Sequence, residues 1–386
     1  MAFYRHFVER TDFDLHVITN SAIPPNLPSS CPITTFGVSP LTDRLFHTRL
    51  MTWLYGLHSL SARGRVSHSV WQAASEFRPD AVFTIAGSWD YSALVAQQVA
   101  RRLRIPLIAS FNDWFNFGWF PSHPIYHRLI ERRFLRFYQE ADLALCTSEG
   151  MREALGSHRN AHILYPTGAP LPESLVAFQP YRDSERKFVV GFGGSLGEWY
   201  GPMMEQLVRV AESRGSNIQF RIYGGNPSWS SEFDRHAREA GIYRGQVPFA
   251  ELQEAMSRVD AMLLPMGFGP ECAQIEKTSF KTKFLDYLTY QKPIIVWGPQ
   301  YCSAVRVAQE FDSAESCTDS AAQSVLDQIV SLAGSPDRQM SLVRNARAMY
   351  EDRFRPDKIH AALVSKIKET ISAYTYGKLS RNTSRA

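Results

Sequence analysis

The sequence predicts an α/β protein built from two doubly wound units. Three observations lead there. Short apolar runs bounded by turn residues alternate with helix-period stretches along almost the whole chain, the pattern of βαβ units around parallel sheets. The alternation breaks at 169–186, where three prolines and several charges replace it. The chain has 386 residues at 44% apolar content, enough for two separate cores.

The elements follow in order. In the first half the apolar runs predict strands at 13–20, 32–38, 80–87, 106–113, 142–148 and 162–168. Helices are predicted between them at 44–60, 66–77, 90–103, 123–140 and 149–155. The second series predicts strands at 187–195, 218–225, 243–247, 260–267 and 292–299, with helices at 202–214, 231–240, 249–258, 279–290, 302–310, 320–333 and 336–350. The expected domains are 1–170, a linker at 171–186, a second domain at 187–355, a helix at 356–373 returning towards the first domain, and a flexible tail at 374–386. Ligands of such sheets bind beyond the carboxyl ends of the strands, and two facing domains would make a cleft.

Composition narrows the function classes. The formal net charge is +4 and charged residues make up 21% of the chain, too sparse for a dedicated nucleic-acid binder. The five cysteines are scattered and odd in number, which argues against a disulfide framework or a zinc site. No apolar run approaches membrane-span length, and charges interrupt every apolar run near the N-terminus. These features lead us to expect a cytoplasmic protein with no metal and no cofactor.

The stretch "TSFKTKFLDYLTYQKPIIVWGP" raises a sharper question. The chain has only nine lysines, none before Lys187, yet Lys281, Lys283 and Lys292 fall in this one segment. Arginine serves elsewhere, and lysine is the compact point charge suited to a phosphate. Lys283 and Asp286 share a helix face. One reading is a solvated ion pair of little energetic worth. The other sets lysine ammoniums at a phosphate and gives the Asp286 carboxylate to ribose hydroxyls. Two glycine-rich strand ends support the second: "VVGFGGSLG", with Gly193, Gly194 and Ser195, and "IYGG", with Gly224. Glycine there lets backbone approach a phosphate, and the next helix offers unpaired N–H groups.

"TKFLDYLTYQKPIIVWG" resembles a segment of the nucleotide-sugar-dependent glycosyltransferases of the GT-B fold, of the retaining, group 1 or family 4-like kind. "VVGFGGSLGEWYG", "ADLALCTSEGMREAL", "HILYPTGAP" and "RVDAMLLP" are similar to further segments of that family, in its order. The resemblance implies two Rossmann-like domains facing across a cleft, and transfer of a sugar from a nucleotide-sugar substrate to a hydroxyl acceptor, a glycan or a lipid-linked molecule. It sets Lys283 at the donor diphosphate with Lys281 beside it, Asp286 at the ribose, Gly193, Gly194 and Ser195 around the phosphates, and Val247 near the base. The two glutamates that the family spaces eight apart fall here on Thr278 and Asp286, with Glu271 and Glu276 as nearby substitutes.

In the first half, "FNDWFNFGWFP" follows a strand. Asn112, Asp113 and Trp114 are expected on the acceptor side, with Asp113 orienting the acceptor hydroxyl and the aromatics walling a pocket or packing in the core. The family's opening strand, the middle of its N-terminal sheet, has no counterpart here, since "AFYRHFVER" resembles the helix that follows it. The basic amphipathic stretch "RLIERRFLRFYQE" suggests peripheral contact with the inner face of a membrane, against the plainer reading of a half-packed surface helix. Two other functions fit the same ancestry: a catalytically inactive GT-B binding subunit, and a nucleotide-sugar 2-epimerase.

Overall fold

The computed structural model describes residues 2–20, 31–37, 44, 48–61, 66–86, 91–116, 122–169, 178–183 and 185–383. The chain divides into two compact units, 1–166 with 357–386, and 167–356. Residues 171–177 and 184 of the expected linker lie outside the described residues, as do 117–121 of the aromatic segment.

The first unit opens with α1 (Ala2–Phe7), β1 (Val17–Thr19) and β2 (Ile33–Thr35), which pair in parallel as a two-stranded sheet. Next come α2 (Met51–Ser61) and α3 (His68–Phe77). The Ser67 hydroxyl caps α3 by accepting from the Val70 N–H, and Arg78 ends it in the left-handed region. A four-stranded parallel sheet then runs β3-β4-β5-β6, from β3 (Val82–Ile85), β4 (Leu107–Phe111), β5 (Leu143–Cys146) and β6 (Ala161–Ile163). Its crossovers contain α4 (Tyr91–Leu103), α5 (His127–Glu140) and α6 (Glu149–Leu155). β4 and β5 are buried throughout, which explains their unbroken apolar sequences.

The second unit is one five-stranded parallel sheet. It contains β7 (Phe188–Gly193), α7 (Tyr200–Ser213), β8 (Ile218–Tyr223), α8 (Ser231–Glu239), α9 (Phe249–Ser257), β9 (Ala261–Pro265), α10 (Pro270–Thr278) and α11 (Thr282–Leu288). It closes with β10 (Ile294–Trp297), α12 (Ser303–Phe311), β11 (Glu315–Cys317), α13 (Ala322–Ala333) and α14 (Pro336–Met349). The strand order is β11-β10-β9-β7-β8, so successive connections leave β7 in opposite directions and the switch point lies between β7 and β9. The last helix, α15 (Pro356–Thr383), sends Leu363 and Ile367 into the core of the first unit beside Ile108, Leu143 and Leu145.

Four expectations need correction. The segment 243–247 is no strand: it makes a single bridge, Ile222 to Tyr243, before the chain turns at Gly245. The helix predicted at 279–290 is the shorter α11, which starts at Thr282, and α10, which precedes it, was not predicted. β11 was not predicted, because "ESC" is polar and only its place at the sheet edge makes it a strand. α15 continues past 373 to Thr383, where a flexible tail was expected.

Candidate functional site

The site forms where β7 and β9 end. β7 passes through Gly193 into Gly194, whose φ of 149° favours glycine. A side chain at Gly194 would also strike Lys283, since its Cβ would lie 1.8 Å from the lysine Nζ. Gly224, at the end of β8, is more constrained still: with φ 152°, its Cβ would lie 1.7 Å from the Gly194 carbonyl oxygen. These two glycines let the β7 and β8 turns touch backbone to backbone. The Gly194 N–H donates to Tyr223, the Gly224 N–H donates to Gly245, and the Tyr243 hydroxyl donates to the Gly224 carbonyl.

The charged part of the site comes from α10 and α11. Glu276 sits on the buried face of α10 and is 0% exposed. One of its oxygens accepts from the Tyr200 hydroxyl at 2.8 Å and from the Gly267 N–H at 3.1 Å. The other lies 2.8 Å from the Lys281 ammonium. One carboxylate thus ties together the start of α7, the turn after β9 and the start of α11. Burial alone would lower the Lys281 pKa, but the Tyr200 phenol and the Glu276 carboxylate outweigh it and hold it above the ordinary lysine value. Burial pushes the Tyr200 phenol up.

Lys283 is the uncompensated charge. Its ammonium lies 4.8 Å from the centre of the Phe192 ring and 6.0 Å from that of Tyr200. Among the described residues no carboxylate pairs with it. Burial, reinforced by the neighbouring Lys281 charge, lowers its amine to about 8. Tyr287, one turn further along α11, fixes the glycine turn from below, its hydroxyl accepting from the Gly193 N–H at 3.2 Å. Glu276 and Lys281 cancel, so the cluster presents one positive charge at a glycine-rich turn on the switch point. Such a charge attracts an anion, and phosphate suits it by size and donor geometry.

The other expected residues distribute as follows. Ser195 is exposed on the same turn. Val247 is half-buried beyond the β8 end, next to Gln246, whose side chain faces Gly225. Asp286, on α11, accepts from the Ala169 N–H at 3.2 Å. Thr278 does not stand in for a carboxylate: it is fully buried, and its hydroxyl donates to the Gln274 carbonyl within α10. In the first unit, Asn112 accepts from the Ser110 hydroxyl at 2.9 Å just past β4, with Asp113 half-buried beside it. Trp114 was expected on the acceptor side. It is a core side chain, 4% exposed, with its ring edge-on to Phe134. The apolar face of α5 is likewise consumed by the core, since Phe134, Phe137 and Tyr138 are all buried.

Sequence reasoning missed Tyr200 and Tyr287 and gave Glu276 a looser role. The signal for Glu276 was present: Cys272, Ile275 and Ser279 mark the buried face of a helix at helical spacing, and Glu276 falls within it.

Comparisons with known proteins bear on the fold. Residues 5–166 match the family model described as Glycosyltransferase Family 4. No curated protein sequence gives a match. Among solved structures, Anabaena Alr3699/HepE in complex with UDP and glucose is 14% identical, with 95% of this chain and 94% of that one covered and a TM-score of 0.61. The lipopolysaccharide outer core galactosyltransferase WaaB is 17% identical over 88% and 85% of the two chains, with a TM-score of 0.55. A glycosyltransferase from Rickettsia africae is 10% identical over 92% and 90%, with a TM-score of 0.56. The chain has the GT-B fold, and its N-terminal half is similar in sequence to Glycosyltransferase Family 4.

Proposed function

We propose that the protein is a glycosyltransferase that takes a sugar from a nucleotide-sugar donor bound in the second unit. The observation that carries this reading is Lys283, a largely desolvated ammonium with no acid partner among the described residues, set against the Gly193–Gly194 turn at the switch point. A diphosphate would supply the missing counter-charge. As the bond to the sugar breaks, negative charge grows on the leaving diphosphate, and a preorganised cation in a site that excludes water stabilises it most at that moment. No metal is needed in this scheme, because Lys283 supplies the positive charge and the exposed Ser195 a hydroxyl donor beside it.

The remaining roles extend the reading. Asp286 takes the ribose, Val247 and Gly224 border the base, and Asp113 orients the acceptor hydroxyl. Retention of configuration, hexosyl transfer and a place in polysaccharide or glycolipid assembly follow the family resemblance. HepE, which resembles this chain in fold, binds UDP and glucose, and a UDP-sugar is the first donor to test.

For a lipid-linked acceptor we propose cytoplasmic work at a membrane face. Leu50, Trp53 and Leu57 are exposed on and just before α2, and Ile125 and Leu129 are exposed at the start of α5, with Arg128 and Arg132 exposed nearby. This apolar and basic surface suits anionic lipid headgroups. No helix among the described residues is long and apolar enough to cross a membrane.

A second reading rests on Thr278. The position that would hold the first glutamate has a hydroxyl already bonded inside its own helix. A GT-B subunit that binds a nucleotide without turning it over would look like this. Thermal denaturation with a panel of nucleoside diphosphates and their sugars, followed by assay of donor hydrolysis, separates the readings. Stabilisation by one nucleotide with slow hydrolysis of its sugar supports the transferase. Stabilisation without turnover of any donor favours the binding subunit, and no stabilisation at all defeats both.

A further inference from the structure

In the second unit α9 runs alongside β7, and the two keep step. Met256 of α9 packs on Gly191 of β7, where a Cβ would lie 3.1 Å from its Sδ. One helical turn earlier, Leu252 packs on Gly193, where a Cβ would lie 3.3 Å from its Cδ1. The spacings agree, since four helical residues rise about 6 Å and two strand residues about 6.6 Å. The next residue on that helix face is Phe249, the first of α9. A further rise of about 4.5 Å carries it past the end of β7, level with the Gly194 turn against which Lys283 is set.

Exposure changes along the same stripe. Met256 is buried, Leu252 is half-buried and Phe249 is 68% exposed. A scattered surface aromatic needs no explanation. This one brings an apolar stripe out of the core and ends it at the glycine turn. Its own segment is tied to the neighbouring turn as well. The Gly245 carbonyl accepts from the Gly224 N–H at 2.9 Å, and the Gln246 side chain faces Gly225.

We infer that Phe249 is the platform on which the nucleobase of the donor stacks, an assignment that rests on the donor site proposed above. With the diphosphate on Lys283, a base reaching past Val247 meets the open face of this ring. Every base has a π-face, so the ring takes purines and pyrimidines alike. Phe249 therefore gives the site its preference for a nucleotide over a bare diphosphate. The choice between bases falls to hydrogen-bonding groups such as the Gln246 amide, which both donates and accepts.

Calorimetric titration of the full chain with UDP, GDP, ADP, dTDP and inorganic pyrophosphate tests this. Phe249→Ala should weaken the nucleotide that the wild type binds by at least about tenfold and leave pyrophosphate within about twofold. Phe249→Tyr should bind like the wild type and Phe249→Leu like Phe249→Ala, because only tyrosine keeps an aromatic face. Lys283→Ala should weaken nucleotide and pyrophosphate together. Nucleotide affinity unchanged in Phe249→Ala but lost in Lys283→Ala overturns the stacking role and leaves the donor site standing. So does an equal loss of pyrophosphate affinity in Phe249→Ala. Full affinity in Phe249→Leu also overturns it, by making the ring an apolar cover. Binding of none of these ligands by the wild type overturns the donor reading and the stacking role with it.

Discussion

Replacing Lys283 with methionine should make the ligand-free protein more stable at neutral pH. The side chain has an ordinary pKa of 10.5, lowered in the fold to about 8 by burial and by Lys281. At about 1.4 kcal/mol per pKa unit, holding it charged at pH 7 costs roughly 3 kcal/mol. The contact with the Phe192 ring returns about 1 kcal/mol, so a net gain of roughly 2 kcal/mol is expected from the apolar isostere. The sign follows from proton counting. Between pH 8 and 10.5 the unfolded chain binds the proton and the folded chain does not, so wild-type stability rises with pH across that window and the cost is present in full below it. Urea unfolding followed by tryptophan fluorescence, at pH 7 and again at pH 9.5, should show the advantage of Lys283→Met shrinking as pH rises. The same variant should lose stabilisation by the nucleoside diphosphate that protects the wild type. A variant less stable than wild type at pH 7, with an unchanged pH dependence and intact nucleotide protection, would refute the reasoning.

Four further outcomes are expected. Glu276→Gln leaves the Lys281 charge buried without its partner, and unfolding of the second unit should become easier by about 3–5 kcal/mol, with the Lys281 pKa falling by NMR. Gly224→Ala drives a Cβ into the Gly194 carbonyl and should cost more than about 4 kcal/mol, whereas Gly215→Ala, at positive φ but with open space around it, should cost about 1 kcal/mol, both read by chemical denaturation. His6, lowered to about 4 by burial and by the neighbouring His360, should make the first unit lose stability as pH falls from 6.5 towards 4, and His6→Gln should flatten that slope in acid titrations. Vesicles with anionic headgroups should co-sediment the protein, and Trp53→Ser with Leu57→Ser should reduce the bound fraction severalfold.

Where the sequence was legible, burial was simple. β4, β5, β7, β9 and β10 are buried on both faces, and their apolar runs announce them directly. Lys283 stood out for a different reason: in a chain so poor in lysine its choice over arginine draws notice, and the structure sets it against the Gly194 turn. Trp114 was misplaced because an aromatic run after a strand reads alike as pocket or core, and only its packing on Phe134 decides. The polar β11 was missed because an edge strand owes its state to its neighbour, which no local pattern reveals. Glu276 needed three dimensions. Its partners Tyr200, Gly267 and Lys281 come from three separate segments, and the break between α10 and α11 is what brings Lys281 within reach.

The placement of α15 sets an order on the ribosome. The second unit, 167–356, is one uninterrupted stretch and has all its core residues once Pro356 has been made. The first unit does not. Its hydrophobic cluster needs Leu363 and Ile367 beside Phe7 and Ile108, and those two side chains are synthesised only after the whole second unit. The half of the protein that emerges first must therefore wait, with part of its apolar surface uncovered, until the other half is already complete. A chain ended at Arg355 would keep the lysine site and lose the helix that closes the first unit.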